Sequence, residues 1–74
     1  MSHEGNIFAI GERERVRALA LAGVRVLPAD DPGAARAAWE ALPGEFALVI
    51  LTTAARDAVA PSEQDERLWA VIPE

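Results

Sequence analysis

Hydrophobic residues along the chain fall into short blocks that alternate between strand-like and helix-like spacing. The first block, residues 6–10 (NIFAI), contains β-branched and aromatic residues and ends at Gly11. From Glu12 onward the apolar residues recur at helical intervals: Val16, Leu19, Ala20 and Gly23. Because glycine takes the left-handed conformation of a helix cap without steric cost, Gly23 marks the end of this helix. The pattern predicts a strand followed by a helix.

A second strand and a second helix follow. Residues 24–28 (VRVLP) are strand-like, and the lone polar residue among them, Arg25, favours a place at the edge of a sheet. Asp31 is a good N-cap and Pro32 a good first helical residue, since proline lacks the N–H that would have no partner there. The apolar positions that follow form one helix face: Ala35, Ala38, Trp39 and Leu42.

The second half of the chain predicts two more strands around a short helix. Residues 46–51 (FALVIL) form a third strand with no polar alternation. Either Thr52 or Thr53 can cap a helix that runs to about Val59. Residues 68–72 (LWAVI) form the fourth strand.

Strands and helices that alternate in this way predict an α/β fold with a doubly wound parallel sheet. We expect four strands in the order 2-1-3-4, an arrangement like that of receiver and flavodoxin-like domains. Residues 1–74 should form one domain, with a flexible N-terminus at residues 1–5. The sequence stops directly after the fourth strand, so we expect the C-terminal helix that completes receiver-sized domains to be lacking.

The third and fourth strands are apolar at both alternating sets of positions, which is typical of strands buried on both faces. The predicted topology supplies two helices to one face and only the first helix to the other. We therefore expect an apolar patch that includes Ile50, Trp69 and Val71 and that a partner subunit, a second copy or a further C-terminal segment covers. The alternative is that the first helix shields most of this face.

Composition and charge narrow the possible partners. Twelve acidic residues against seven basic ones give a net charge of −5, which argues against a nucleic-acid partner. There is no cysteine, and the longest apolar run has six residues, far too short to span a membrane. The N-terminus lacks the features of a signal peptide, so a cytoplasmic location is expected. His3 beside Glu4 is interpreted as a solvated tail and not as a metal site.

Ligands of open α/β sheets bind at the carboxyl ends of the strands, where this chain has no recognisable catalytic pattern. The glycine-rich turns of dinucleotide and P-loop sites are absent. A receiver would need an Asp after the third strand and paired acids after the first; here Thr52 and the single acid Glu12 take those places. We expect the Thr52 hydroxyl to have no base nearby, and Asp30 and Asp31 to be solvated. No catalytic, cofactor or metal site is therefore expected.

Five junctions of the chain occur in an order found in one known family. They are Ile10-Gly11-Glu12, Leu21-Ala22-Gly23-Val24, the helix from Asp31 to Leu42, the strand and turn from Leu48 to Thr53, and Val71-Ile72-Pro73. In this order and spacing the chain resembles the F subunit of V-type and archaeal A-type rotary ATPases over most of its length. Two features depart from the family pattern. Thr53 stands where members often have an acid, and members continue past Ile-Pro into a helix that packs on the stalk.

The resemblance implies a receiver-like domain with no active site or cofactor of its own. Such subunits sit on the central stalk, have the long coiled-coil D subunit and the catalytic head as partners, and couple or regulate ATP turnover and proton or sodium transport. The protein would then be cytoplasmic and peripheral to a membrane-bound complex. We expect its interface to include Ile50, Trp69, Val71 and, on the third helix, Arg56.

Two other functions remain open from the sequence. One is a stand-alone pseudo-receiver, a regulatory module that forms a homodimer through the apolar sheet face. The other is a small enzyme or ligand-binding protein with a pocket near Gly11, Glu12 and Thr52.

Overall fold

The computed structural model describes residues 7–42, 48–61 and 69–72. Within these residues, four strands, three α-helices and one 3₁₀ segment follow one another. They are β1 (Ile7–Gly11), α1 (Arg13–Val16) with a 3₁₀ segment that continues it (Arg17–Ala22), β2 (Arg25–Pro28), α2 (Pro32–Glu40), β3 (Leu48–Thr52), α3 (Thr53–Val59) and β4 (Trp69–Ile72).

The four strands form one parallel sheet in the order β2-β1-β3-β4, which confirms the predicted topology. β1 is central and pairs with β2 on one side and β3 on the other. α1 packs against β1 and β2, whereas α2 and α3 pack against each other and against the sheet. Right-handed crossovers in this strand order place α1 on one face and the other two helices on the opposite face.

The first helix differs from the prediction of one continuous α-helix. Only Arg13–Val16 is α-helical, and Arg17–Ala22 forms a 3₁₀ helix in which no residue is buried. Gly23 then takes the left-handed conformation, with φ 87°. The N–H groups of Gly23 and Val24 donate to the carbonyls of Ala20 and Leu19, the paired bonds of a Schellman motif. The predicted cap at Gly23 is confirmed. The turns before it are 3₁₀ turns, which are tighter than the predicted α-helical turns.

Two side-chain caps fix where the other helices begin. Asp31 accepts a hydrogen bond from the Ala34 N–H at 2.7 Å, and Pro32 is the first residue of α2, as predicted. Thr52 caps α3, which settles the choice between the two threonines. α3 ends at Val59, also as predicted.

Strand bounds differ slightly from those predicted. β1 includes Gly11, β2 begins at Arg25 and β3 extends to Thr52. Residues 6, 46, 47 and 68 of the predicted strands lie outside the described residues, as does the N-terminus at residues 1–5.

The main core lies between the sheet and the α2–α3 layer. Its buried members are Phe8, Ile10, Ala29, Ala35, Leu42, Val49, Leu51 and Ala55. The predicted apolar face of α2 is confirmed, since Ala38 and Trp39 also pack on this cluster. Ala9, on β1, and Val16, on α1, are fully buried but outside the cluster, on the other side of the sheet. In the part of the chain that the structure describes, no helix is long and apolar enough to cross a membrane.

Candidate functional site

Polar side chains meet at the carboxyl end of the two central strands. The Thr52 hydroxyl at the end of β3 donates to Glu12 Oε1, just after β1, with 2.5 Å between the oxygens. The same hydroxyl accepts a hydrogen bond from the Ala55 N–H at 3.2 Å. Thr52 is 2% exposed, so these two partners use its donor and one acceptor position within the protein. The hydroxyl therefore joins the first strand to the start of α3.

Gly11 allows this contact because Thr52 occupies the space where a side chain would be. A Cβ atom on Gly11 would lie 2.6 Å from Thr52 Oγ1 and 2.9 Å from its Cβ, and closer still to its Cγ2. Gly11 is needed here for its lack of volume and not for a left-handed backbone. A bound ligand cannot use this space, which argues against the pocket near Gly11, Glu12 and Thr52 suggested by the sequence.

The prediction that Thr52 has no base nearby is wrong, since the Glu12 carboxylate is its hydrogen-bond partner. The environment nevertheless makes Glu12 a poor base. The hydrogen bond from Thr52 lowers the pKa of Glu12, and the bond from its own backbone N–H and the nearby Arg15 guanidinium act in the same direction. A general base works best with a pKa near the operating pH. The chemistry of the Glu12–Thr52 pair is thus that of a structural hydrogen bond, which joins the end of β1 to the start of α3.

Asp30 and Asp31 accept hydrogen bonds from backbone N–H groups at the beginnings of two helices. Asp30 Oδ1 accepts a hydrogen bond from the Arg13 N–H, at the start of α1, with a distance of 2.9 Å. Asp31 caps α2 as described above. Both residues are exposed, in agreement with their predicted solvation. Among the described residues, no group of three or more His, Cys, Asp or Glu is arranged to hold a metal ion.

A small pocket lies beside these caps, between the beginnings of α2 and α3. Its volume is about 80 Å³, against roughly 300–1,000 Å³ for sites that hold drug-sized molecules. The lining residues are Glu12, Ala29, Asp30, Asp31, Pro32, Ala35, Ala54 and Ala55. A pocket of this size has room for solvent or a small ion but not for a nucleotide.

The structure separates the predicted interface residues. Ile50 pairs with Ala70 in the sheet register, whereas Trp69 and Val71 pair with Val49 and Leu51. Because paired residues of neighbouring strands share a face, Trp69 and Val71 lie on the side of α2 and α3, opposite Ile50. Trp69 packs on the main core.

All three apolar residues of the predicted interface are half-buried. Arg56 belongs to α3, and its Nε lies 2.9 Å from Asp57 Oδ1. The four predicted residues therefore do not form one continuous surface.

The opposite side of β3 and β4 carries apolar residues. Among the described elements, α1 packs on β1 and β2 and does not extend over these residues in the same way. We call this surface the open half-face and define it by four residues: Leu48, Ile50, Ala70 and Ile72. Leu48, Ile50 and Ile72 are half-buried and Ala70 is exposed. None of the four can be charged. Among the residues that the structure describes, this side of β3 and β4 therefore carries a small apolar surface that α1 does not cover.

One candidate residue was missed by the sequence analysis. Leu21, on the 3₁₀ segment, is 92% exposed and is one of two large hydrophobic residues that the described chain exposes; Ile7, at 37%, is the other. The signal was present in the sequence, because Leu21 falls outside the helical stripe formed by Val16 and Leu19. A leucine off the buried stripe of a short helix is a candidate contact residue.

No model of a protein family matches the chain, and neither a curated protein nor a solved structure matches it. The likeness to the rotary-ATPase subunit therefore rests on the sequence junctions described above.

Proposed function

We propose that this protein is a non-catalytic docking subunit on the central stalk of a V/A-type rotary ATPase. In this role it binds a coiled-coil stalk subunit of the D type, and its further partner is the catalytic head. It couples or regulates ATP turnover and proton or sodium transport, from a place peripheral to the membrane-bound complex.

The observation that carries the proposal is the open half-face beside α1. Helices cover the faces of α/β sheets, and among the described residues this side of β3 and β4 has a place for one further helix next to α1. The residues offered there, Leu48, Ile50, Ala70 and Ile72, are uncharged. A partner helix with an apolar stripe, as in each strand of a coiled coil, matches this surface.

The polar residues at the carboxyl end of the sheet support a role without catalysis. Thr52 is buried and hydrogen-bonded, Glu12 is held as a carboxylate by its partners, and the two aspartates cap helices. Each of these groups has a structural task. The family resemblance adds the identity of the partner.

The test is co-expression with the coiled-coil D subunit of a V/A-type ATPase, followed by size-exclusion chromatography with light scattering. We expect a 1:1 complex. Ala70→Glu places a charge on the open half-face and should weaken binding about tenfold or more, because a carboxylate would be buried against apolar side chains. Ala37→Glu is the matched control, since Ala37 is exposed on α2, on the other side of the sheet.

Two results would contradict the proposal: no complex with the coiled coil, or a complex that Ala70→Glu and Ala37→Glu affect equally. Circular dichroism of both variants confirms that each is folded before binding is compared.

A further inference from the structure

We infer that, in the absence of another partner, two copies of this chain dimerise by placing the 3₁₀ segment of each over the open half-face of the other, with Leu21 as the central contact. This inference goes beyond the proposed stalk function, because it concerns the chain alone, and it uses the open half-face that a coiled-coil partner would otherwise cover.

The first observation is the unusual exposure of the 3₁₀ segment. Leu21 is 92% exposed, and its neighbours Ala18, Ala20 and Ala22 are exposed as well. Removing a leucine side chain from water is favourable, so a solvent-exposed leucine among small residues is a strong contact point for any apolar surface that can receive it. Alanines around it allow close approach.

The second observation is that the receiving surface lies on the same side of the sheet. The 3₁₀ segment packs on β2, at one end of the strand order, and the open half-face covers β3 and β4 at the other end. A twofold axis between two copies brings each 3₁₀ segment onto the partner's open half-face. A twofold contact requires one patch to be complementary to itself, and a projecting leucine beside an apolar sheet surface meets this requirement.

Charge favours this contact over others between copies. Each copy carries a net charge of −5, so most surfaces of two copies repel each other. Residues 18–24 (ALALAGV) and the four residues of the open half-face contain no ionisable side chain. The two surfaces can therefore meet without burying a charge.

We expect the contact to be small. Small specific interfaces bury about 600 Å² on each partner, about an eighth of the 4998 Å² accessible surface of this chain. The small number of apolar side chains in this contact places the dimer at this lower limit. We expect a dissociation constant in the micromolar range, so the dimer should form between about 1 μM and about 1 mM protein.

Sedimentation velocity over this concentration range tests the inference. The unmodified chain should pass from monomer to dimer, and both Leu21→Glu and Ala70→Glu should raise the dissociation constant about tenfold or more. Because Leu21 is almost fully exposed and glutamate is nearly as good a helix former, Leu21→Glu should leave the fold intact. Ala37→Glu adds the same charge on the other side of the sheet and should leave the dimer unchanged.

Cross-linking tests the geometry directly, since the chain has no cysteine of its own. Chains that carry Leu21→Cys and chains that carry Ala70→Cys are mixed and oxidised. We expect the mixed disulfide to exceed both homodimeric products. A chain that stays monomeric at about 1 mM, a dimer that resists both glutamate substitutions, or cross-linking without preference for the mixed pair would each overturn the inference. None of these outcomes bears on binding to the coiled-coil partner, which is measured separately.

Discussion

Gly11 and Thr52 are in contact at the point where the two central strands end. The glycine has no unusual backbone conformation to explain it; its lack of a side chain is what the packing uses. Thr52 is buried, caps α3 and donates a hydrogen bond to the Glu12 carboxylate. In this position it leaves no space for a methyl group on Gly11.

We predict that Gly11→Ala destabilises the protein by about 1–3 kcal/mol, the usual cost of overpacking a close-packed site. Urea denaturation measures the change. In a Thr52→Ala background the cost should be smaller, because the Cγ2 and Oγ1 atoms that the new methyl group would meet are gone. Equal costs in both backgrounds would show that the two residues do not act on each other.

Glu12 should make stability depend on acid pH. Its pKa in the folded protein lies below the ordinary value of 4.5, mainly because Thr52 donates to the carboxylate. A lowered folded pKa stabilises the protein fully above the unfolded value, and this contribution is lost as the pH falls through the folded pKa. We therefore predict that Glu12→Gln lowers stability at pH 7 and that the difference from the unmodified protein shrinks below about pH 4.5.

Thermal unfolding between pH 7 and pH 2 measures this difference. Glu14→Gln removes the same charge from an exposed position whose carboxylate meets Arg17 at 3.8 Å, and serves as the control. A gap between Glu12→Gln and the unmodified protein that stays constant across the acid range would refute the prediction.

At the level of the elements, the 3₁₀ segment and its cap show how one glycine ends a helix. Gly23 has φ 87°, and no other atom lies within 4 Å of the position where its Cβ would be. Its requirement is conformational, in contrast to the steric requirement at Gly11.

We predict that Gly23→Ala costs about 1–2 kcal/mol, the penalty for a left-handed non-glycine residue. Gly23→Asn should cost less, since asparagine enters this conformation more readily. Chemical denaturation of the two variants gives the comparison. Equal stability of the alanine variant and the unmodified protein would mean that the cap rearranges at no cost.

The elements themselves were largely predictable from the sequence because their signals are local. Asp31 before Pro32, the apolar stripe of α2 and the uninterrupted apolar strand before Thr52 each decide a short stretch of chain. These signals, together with the handedness of crossovers, were enough for the strand order. The 3₁₀ form of Arg17–Ala22 was not predictable, since its alanines and leucines favour an α-helix by themselves.

The candidate site was harder to predict because it depends on contacts between distant residues. Glu12 and Thr52 are forty positions apart, so their hydrogen bond follows from the pairing of β1 with β3 and from the size of Gly11. Likewise, the face on which Trp69 lies depends on its register opposite Val49, which composition does not reveal. A shift by one residue reverses every side chain of a strand.

For the whole molecule, dimerisation predicts a link between concentration and stability. A contact made only by the folded chain raises the unfolding temperature as the protein concentration rises. We predict an increase of several degrees between about 10 μM and about 1 mM for the unmodified chain, given a shift of about 4–8 °C per kcal/mol in domains of this size. Leu21→Glu should unfold at the same temperature throughout this range.

Differential scanning calorimetry measures both chains, with Ala37→Glu as the variant expected to follow the unmodified protein. A concentration dependence that persists in Leu21→Glu would assign the association to another surface.

The position of β1 has a consequence for biosynthesis. This strand lies inside the sheet and is synthesised before both of its neighbours, and one of them, β3, is made only after β2 and α2. Until then one edge of β1, with Phe8 and Ile10, has no strand beside it. The nascent chain therefore carries an incomplete apolar sheet until β3 has been made. A chaperone that binds short apolar segments is expected to bind it at this stage.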